Sequence, residues 1–305
     1  MKRMTALLLA LCFLLGVILT ACKNTEPNSV PATALPPATL QMATNTPEPT
    51  PTATPIPAVL TVNGIGIPLA YFEDELSRYK ISFAQGEAAP ADPEAITAVT
   101  DYLTEQLLLA SAARQEAYHA GPEEVDKRLQ ELTAKLGSAE KLNEWTSANY
   151  YDAEQFRFFI ALGAEAAWQR DKILASIPDA TEQVRARQIF STNEASINQA
   201  YNNLNAGTDF AQLAKNFNPD TGGELGWFPR GYLLIPAIEE FAFSAGLGAH
   251  SAVIQSDIGY HIIEVTDKDP RHPLTTDAKL SLQAKALAAW LQDAKSRASI
   301  TLNLP

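Results

Sequence analysis

Two glycine-rich segments between residues 222 and 265 decide the fold. Residues Gly222–Gly231 read GGELGWFPRG, and residues Gly259–Val265 read GYHIIEV. Between them, Pro236–Phe243 (PAIEEFAF) carries apolar residues three and five positions apart, which favours a short helix. The second segment alternates like a strand, so every second side chain starting with His261 is predicted on one face. The glycines that open both segments indicate where the backbone turns or approaches another group closely.

Two motifs upstream extend this pattern. Residues Val184–Phe190 read VRARQIF, and residues Gly207–Ala214 read GTDFAQLA. In this order and at this spacing, the five pieces resemble the parvulin-type (PpiC or rotamase) peptidyl-prolyl cis-trans isomerases. The resemblance covers about residues Val184–Asp267. It implies a small antiparallel sheet flanked by helices, and an enzyme that isomerises X–Pro peptide bonds.

The resemblance also implies an apolar pocket that holds the proline ring. The family lines this pocket with the Leu of a Gly-Leu-Gly turn, the Phe just after it, a Met or Leu beyond Arg-Gly, and a Phe of the following helix. The matching positions in this sequence are Leu225, Phe228, Leu233 or Leu234, and Ile238. Because the spacing here differs from the usual pattern by about one residue, the choice between Leu233 and Leu234 stays open. Ser256 and Ile258 match rim positions, and the alternative for all the apolar side chains is an ordinary place in the core.

The polar part of the family's site is a Cys or Asp near the bond and two histidines behind it. Asp220 falls at the first of these positions, although the loop before Gly222 is shortened, and His261 matches the second histidine. Gln188 stands where the family has the first histidine. A glutamine donates and accepts hydrogen bonds as a neutral imidazole does, but it cannot titrate. Activity therefore survives in reduced form if the pair only orients the site, and is lost if one member must change protonation.

The predicted reaction makes and breaks no covalent bond. Rotation about an X–Pro bond is opposed by a barrier of about 18–20 kcal/mol, and the transition state is a twisted amide. A catalyst must hold the twisted amide better than either planar form. Such catalysis needs neither a nucleophile nor a metal, so we expect no metal and no cofactor.

The N-terminus has the pattern of an exported lipoprotein. Lys2 and Arg3 precede a short apolar run, and residues 19–22 read LTAC, which matches the lipoprotein box. The chain has two cysteines, and Cys12 lies within the segment predicted to be removed. The mature chain then has one cysteine, Cys22, so no internal disulfide can form and its thiol is the predicted lipidation site. We expect an extracytoplasmic protein anchored to the bacterial cell membrane, on the periplasmic side if a second membrane exists; the alternative is an ordinary secretory signal.

The residues after the anchor are rich in Pro, Thr and Ala, with hardly any charge, and are predicted to form an extended spacer. The remaining length of roughly 250 residues is sufficient for two domains of ordinary size. The formal net charge of −12 argues against nucleic acid as a partner, because nucleic acid requires a basic surface.

Helical patterns fill the region between the spacer and the parvulin-like motifs. Residues Val62–Gly64 (VNG) followed by Phe72 resemble the opening of the foldase and chaperone families of the PrsA and SurA type, and Thr275–Ala298 forms one more amphipathic pattern. The predicted fold class is α+β, with a helical chaperone domain and a parvulin domain. The predicted boundaries are a signal peptide over residues 1–21, a linker over 22–57, a helical domain over 58–180, a parvulin domain over 181–268, and a C-terminal helix over 269–305 that packs on the helical domain.

These features together predict a membrane-anchored foldase that isomerises X–Pro bonds in secreted or unfolded polypeptides. The alternative is a holdase or assembly factor with a catalytically silent parvulin domain, which Gln188 and the shortened loop favour. A solute-binding lipoprotein would share the anchor and the linker, but the sequence lacks the βαβ succession of its two lobes.

Overall fold

The computed structural model describes residues 57–83 and 90–305. They form two units: the described residues up to Ala167 together with residues 298–305, and Trp168–Arg297. The predicted signal peptide, Cys22 and nearly all of the linker lie outside the described residues. Within residues 57–83 and 90–305, no helix combines the length and the apolar character needed to cross a membrane. The mixture of helices and small antiparallel sheets confirms the α+β class.

The first unit contains a three-stranded antiparallel sheet. Its strands are β1 (Ala58–Val62), β2 (Ile65–Pro68) and β7 (Ile300–Leu302), in the order β2-β1-β7. Asn63 and Gly64 join β1 to β2, and both have positive φ angles, of 50° and 84°. Asn-Gly is the pair that favours this kind of tight hairpin turn. Asn63 and Gly64 of the VNG segment thus form the turn of a two-stranded hairpin.

Five helices complete the described part of the first unit, and proline, glycine and serine residues mark several of their ends. Pro93 and Pro122 lie in the first turns of the second and third helices, where a missing N–H costs nothing. Gly137 ends the third helix in a left-handed conformation, and the Ser138 side chain caps the fourth by accepting a bond from the Lys141 N–H. The helices are α1 (Leu69–Ile81), α2 (Asp92–Gln115), α3 (Pro122–Leu136), α4 (Ala139–Ala148) and α5 (Ala153–Ala175), the last of which has its final residues, from Trp168, in the second unit.

The second unit is built on a four-stranded antiparallel sheet of β4 (Glu224–Pro229), β3 (Ala180–Ser191), β6 (Gly259–Pro273) and β5 (Ile254–Ser256), in that order. Long strands β3 and β6 form its centre and pair from Ala180 with Pro273 to Ser191 with Tyr260. The elements in chain order are β3 (Ala180–Ser191), α6 (Glu194–Asn205), α7 (Phe210–Phe217), β4 (Glu224–Pro229), α8 (Pro236–Ser244), β5 (Ile254–Ser256), β6 (Gly259–Pro273) and α9 (Thr276–Arg297).

The two faces of this sheet bury different sets of side chains. Ile262 of β6 belongs to a cluster with residues of α6 and α7. Its neighbour Ile263 belongs to a cluster with Val184 of β3, Phe228 of β4 and residues of α8. This alternation is the one predicted from the GYHIIEV segment, and it places His261 on the same side of the strand as Ile263.

The C-terminal helix is predicted to pack on the helical domain of residues 58–180. In the structure α9 belongs to the second unit, together with the end of α5 from Trp168. Gln283 on α9 donates a 3.1 Å hydrogen bond to the carbonyl of Leu174, and Lys279 lies 2.5 Å from the Asp179 carboxylate. Beyond the helix, the short strand β7 pairs with β1 in the first unit. The amphipathic pattern of α9 favours one buried face, but in the structure Ala278 is the buried residue of the described helix and Leu280 is 58% exposed.

Candidate active site

One pocket in the second unit brings together most of the predicted site residues. The side chains come from the middle of β3, the start of β4, the loop before α8, the first turn of α8, and the turn between β5 and β6. Because these elements surround one end of the sheet, residues up to 73 positions apart in sequence line the same depression. The predicted residues that line it are Gln188, Leu225, Leu233, Leu234, Ile238, Ser256, Ile258 and His261.

His261 is the polar centre of this pocket. Its side chain is only 2% exposed. Its Nε2 lies 2.8 Å from the Ser256 hydroxyl, and its Nδ1 lies 3.1 Å from the Gln188 Oε1. Because an amide oxygen can only accept, this arrangement puts a proton on Nδ1 and leaves Nε2 of the neutral ring to accept from Ser256. Gln188 therefore contacts His261 from the position at which the parvulin-type family has its first histidine.

Burial also sets the charge of His261. Removing the ring from water disfavours its protonated form and holds the pKa of His261 below its ordinary value of 6.5. The neutral ring is consequently the form present at neutral pH. A second ring, Phe190, lies 5.0 Å from that of His261 between centroids and contributes to its apolar surroundings.

This depressed pKa predicts how stability depends on pH. Between the pKa of the folded protein and 6.5, the unfolded chain binds a proton at His261 that the folded chain does not. The contribution of the neutral His261 to the free energy of unfolding is fully present above pH 6.5. It is lost as the pH falls from 6.5 through the pKa of the folded protein. We expect the urea midpoint of the second unit to fall from pH 7 toward pH 5 more steeply than in His261→Gln. Equal slopes in both proteins would contradict the prediction.

The apolar walls rest on the core of the unit. Ile238 is a buried member of the cluster that contains Val184 and Ile263, and Leu225 and Leu233 pack against that cluster. Leu234 is 93% exposed and Ile258 is 64% exposed at the mouth of the pocket. Large exposed apolar side chains beside an apolar depression are typical of a surface that receives a ligand. Both Leu233 and Leu234 line the pocket, so the two positions left open by the sequence take different places, one as a wall and one at the mouth.

Most of the second unit matches the model of a known protein family. Residues 167–269 match the family model described as PPIC-type PPIASE domain. The chain contains a PPIC-type PPIase domain. The match begins 14 residues before the predicted boundary at 181 and so takes in the end of α5.

The chain is also similar to proteins of known name. The chain is 32% identical over 123 residues to "Foldase protein PrsA" of Geobacillus sp. (strain WCH70), covering 39% of this chain and 44% of the relative. It is 32% identical over 174 residues to "Foldase protein PrsA" of Caldanaerobacter subterraneus subsp. tengcongensis, covering 54% of this chain and 55% of the relative. The chain thus spans about half the length of these relatives. A crystal structure of peptidylprolyl isomerase (PrsA) from Bacillus cereus is 23% identical, with a TM-score of 0.43, over 68% of this chain and 84% of that one.

Two predicted site residues of the PPIC-type PPIase domain lie elsewhere. Phe228 is fully buried, and its ring packs edge-on against that of Phe243 at 6.1 Å, so it belongs to the core and does not line the pocket. Asp220 is exposed in the turn between α7 and β4. Among the described residues that line the pocket, Asp220 does not occur. The shortened loop before Gly222 agrees with this displacement, and a catalytic role of Asp220 stays a prediction.

The pocket of the PPIC-type PPIase domain also has residues that the motifs missed. Gln255 and Asp257 flank Ser256, and Asp257 is the charged residue of the lining. Ile235, Pro236 and Ala237 lead from Leu234 into α8. The sequence could have indicated these residues through their positions, because they lie beside predicted site residues in a tight turn and at the start of a helix. Groups of three or more side chains able to hold a metal ion are absent from residues 57–83 and 90–305.

Proposed function

We propose that this protein is an extracytoplasmic, membrane-anchored foldase that catalyses cis-trans isomerisation of X–Pro bonds in secreted or unfolded polypeptides. The observation that carries this proposal is the apolar pocket and the hydrogen-bonded side chains at its back. These side chains are Gln188, His261 and Ser256, and the histidine among them is neutral. The PPIC-type PPIase domain and the foldase relatives support the same activity.

The pocket favours isomerisation through its low polarity. A planar amide is conjugated and strongly polar, whereas a twisted amide has lost its conjugation and part of its charge separation. Transfer into an apolar pocket therefore costs the planar forms more than the twisted form. Leu225, Leu233 and Ile238 provide such surroundings for the proline ring and the adjacent bond. An acceleration of about a thousandfold requires only about 4 kcal/mol of such preference.

The polar series has a positioning role in this mechanism. Gln188 accepts from Nδ1 of His261, the Ser256 hydroxyl contacts Nε2, and burial, which lowers the pKa of His261, keeps the ring neutral. These contacts engage the Gln188 oxygen, both ring nitrogens and the Ser256 hydroxyl, so these atoms do not solvate the planar amide of the substrate. Because no proton moves in the reaction, a glutamine can serve at position 188 as a histidine would.

Substitution of Gln188 tests the enzymatic proposal. In a protease-coupled assay on a chromogenic X–Pro peptide, we expect micromolar full-length protein to accelerate a step that takes tens of seconds unaided. Gln188→His keeps an acceptor for His261, so we expect kcat/KM within about threefold of the original. Gln188→Leu removes the acceptor, and we expect about a tenfold loss. Gln212→Leu, an exposed position on α7, is the control.

The outcomes of this experiment separate the two readings of Gln188. Absence of acceleration by the original protein, with a large gain in Gln188→His, would show that a titrating histidine is required. Absence of acceleration by all four proteins would defeat the enzymatic proposal.

The membrane anchor is tested separately. We propose that Cys22 carries the lipid, on the basis of the LTAC box. Two or more acyl chains hold a protein stably on a membrane, so the full-length protein should fractionate with membranes. Cys22→Ser should neither incorporate labelled fatty acid nor remain in the membrane fraction. Equal lipid incorporation in both proteins would contradict the assignment.

A second candidate function is holdase activity in the first unit, and a separate pocket favours it. Helices α2, α3 and α5 line a largely apolar depression that includes Leu103, Leu132, Phe156, Phe159, Ile160 and Gly163. Gly163 lies inside α5, where glycine destabilises a helix by about 1 kcal/mol relative to alanine. A Cβ at this position would meet none of the described atoms within 4 Å outside the backbone of its own helix. The glycine thus leaves open a space that a larger side chain would fill, and an apolar client side chain suits that space.

Filling this pocket tests the holdase function. We expect Gly163→Leu to stabilise α5 by about 0.5–1 kcal/mol and yet to reduce suppression of client aggregation. Gly163→Ala should give a similar gain in stability and leave the suppression intact, because a methyl group occupies little of the pocket. Aggregation followed by light scattering, with unfolding by circular dichroism, measures both. Full suppression by the stabilised Gly163→Leu protein would exclude this pocket as the client site.

A further inference from the structure

The loop between β4 and α8 is held by a single carboxylate. Glu239, in the first turn of α8, accepts backbone hydrogen bonds from three consecutive residues of this loop. The donors are the N–H groups of Gly231 at 2.6 Å, Tyr232 at 3.1 Å and Leu233 at 3.2 Å. Gly231 has a φ of 79°, and such a left-handed residue lets successive N–H groups converge on one anion. The half-buried carboxylate therefore fixes the shape of the loop.

This contact differs from the usual role of an acidic residue at a helix start. An acid in the first turn normally interacts with the N–H groups and the dipole of its own helix. The residue before α8, Ile235, provides no side-chain cap, and the Glu239 oxygens bond to the preceding loop instead. Bonds from N–H groups to an ionised carboxylate are stronger than bonds between neutral groups, so the loop is anchored more firmly than an ordinary turn.

The anchored loop provides one wall of the proline pocket. Leu233, the third donor, lines the pocket and packs against the core cluster, and the next residue, Leu234, is exposed at the mouth. On its other side, the loop accepts a hydrogen bond at the Gly231 carbonyl from the Lys285 ammonium group of α9. The backbone at position 233 is thus fixed by a charge that itself lies outside the lining.

We propose that Glu239 is a positioning residue for the proline pocket, acting by holding the 231–233 backbone so that Leu233 is in place before a substrate binds. The proposal rests on the proposed isomerase function. Without the hydrogen bonds from Glu239, the side chains of the pocket are unchanged. The 231–233 loop must then become ordered when the substrate binds, which weakens binding. The effect should therefore appear in KM and not in kcat.

The test compares Glu239→Gln with Glu240→Gln in the full-length protein. Glu240 is the adjacent, exposed residue on the same helix, and Glu240→Gln makes the same change of atoms as Glu239→Gln. We expect Glu239→Gln to raise KM for an X–Pro peptide about tenfold, the effect of losing about one charge-assisted hydrogen bond, with kcat changed less than about twofold. Glu239→Asp keeps the charge and should restore part of the affinity. Glu240→Gln should leave both constants unchanged.

A second measurement separates this proposal from the isomerase function. Amide hydrogen exchange at Gly231, Tyr232 and Leu233 should accelerate in Glu239→Gln and not in Glu240→Gln, whether or not the protein turns over a peptide. If the original protein neither turns over nor binds an X–Pro peptide, the proposed function fails, and so does any role of Glu239 in positioning a proline pocket, even where exchange accelerates. If the peptide is turned over but Glu239→Gln leaves KM and loop exchange unchanged, the positioning role is overturned while the isomerase function stands.

Discussion

Replacing Gly223 by Ala should destabilise the second unit by about 2–5 kcal/mol, the largest effect on stability that we expect from one methyl group. Gly223 has a φ of 77°, and a Cβ built on it would lie 2.0 Å from the Gln188 carbonyl oxygen. That oxygen belongs to the backbone of β3, so it cannot rotate away. The same two residues are paired by a 2.8 Å hydrogen bond from the Gln188 N–H to the Gly223 carbonyl. The methyl group must therefore push β4 away from β3.

The adjacent glycine provides a matched control for this prediction. Gly222 also has a positive φ, of 62°, but a Cβ there would come no closer than 3.7 Å to Lys215 Cγ, an ordinary contact. Gly222→Ala should thus show only the left-handed penalty of about 1–2 kcal/mol. Urea unfolding with linear extrapolation measures both losses. Equal losses for the two variants would contradict the close approach at Gly223.

The Gly223 contact has a consequence for the site as well as for stability. It fixes the backbone at Gln188, whose side chain accepts from His261. A displaced strand at this point would lengthen that 3.1 Å contact. We therefore regard Gly223 as part of the support of the pocket, although it does not line the pocket.

Local features of the fold could be predicted from sequence because their causes are local. The Asn63–Gly64 turn, the prolines in the first turns of α2 and α3, and the alternation around His261 each depend on residues a few positions apart. Family motifs added the grouping of Gln188, Leu225 and His261, which spacing alone cannot provide. In the structure these three residues line one pocket, and their roles in it stay predictions.

The remaining features depend on contacts between distant residues. The partner of α9, the burial of Phe228 and the anchoring of the 231–233 loop by Glu239 follow from how whole elements pack. An apolar periodicity indicates a buried face but does not identify the surface that covers it. In the same way, an acidic residue at a helix start predicts a favourable interaction with the helix and gives no sign of a bond to the preceding loop.

Replacing His261 by Leu should lower kcat/KM about 10- to 100-fold, which corresponds to about 1.4–2.8 kcal/mol in the barrier. Leucine is apolar, so the change places a hydrophobic side chain under the pocket. It deprives the Gln188 oxygen and the Ser256 hydroxyl of their shared partner. These groups then turn toward the pocket and solvate the planar amide, which reduces the preference for the twisted form. The coupled peptide assay measures the loss, with circular dichroism to verify folding.

A histidine outside the pocket provides the control for this substitution. A double variant tests whether His261 acts through its contact with Gln188. His250 is half-buried with its Nδ1 3.1 Å from the Ser251 carbonyl oxygen, so His250→Leu also removes a polar contact but should keep kcat/KM within about twofold. In His261→Leu combined with Gln188→Leu, the unpaired amide is gone. Because the two side chains act through one contact, the double variant should lose less than the sum of the single losses. Strict additivity would show that His261 and Gln188 contribute independently, and the positioning account of the pair would then be wrong.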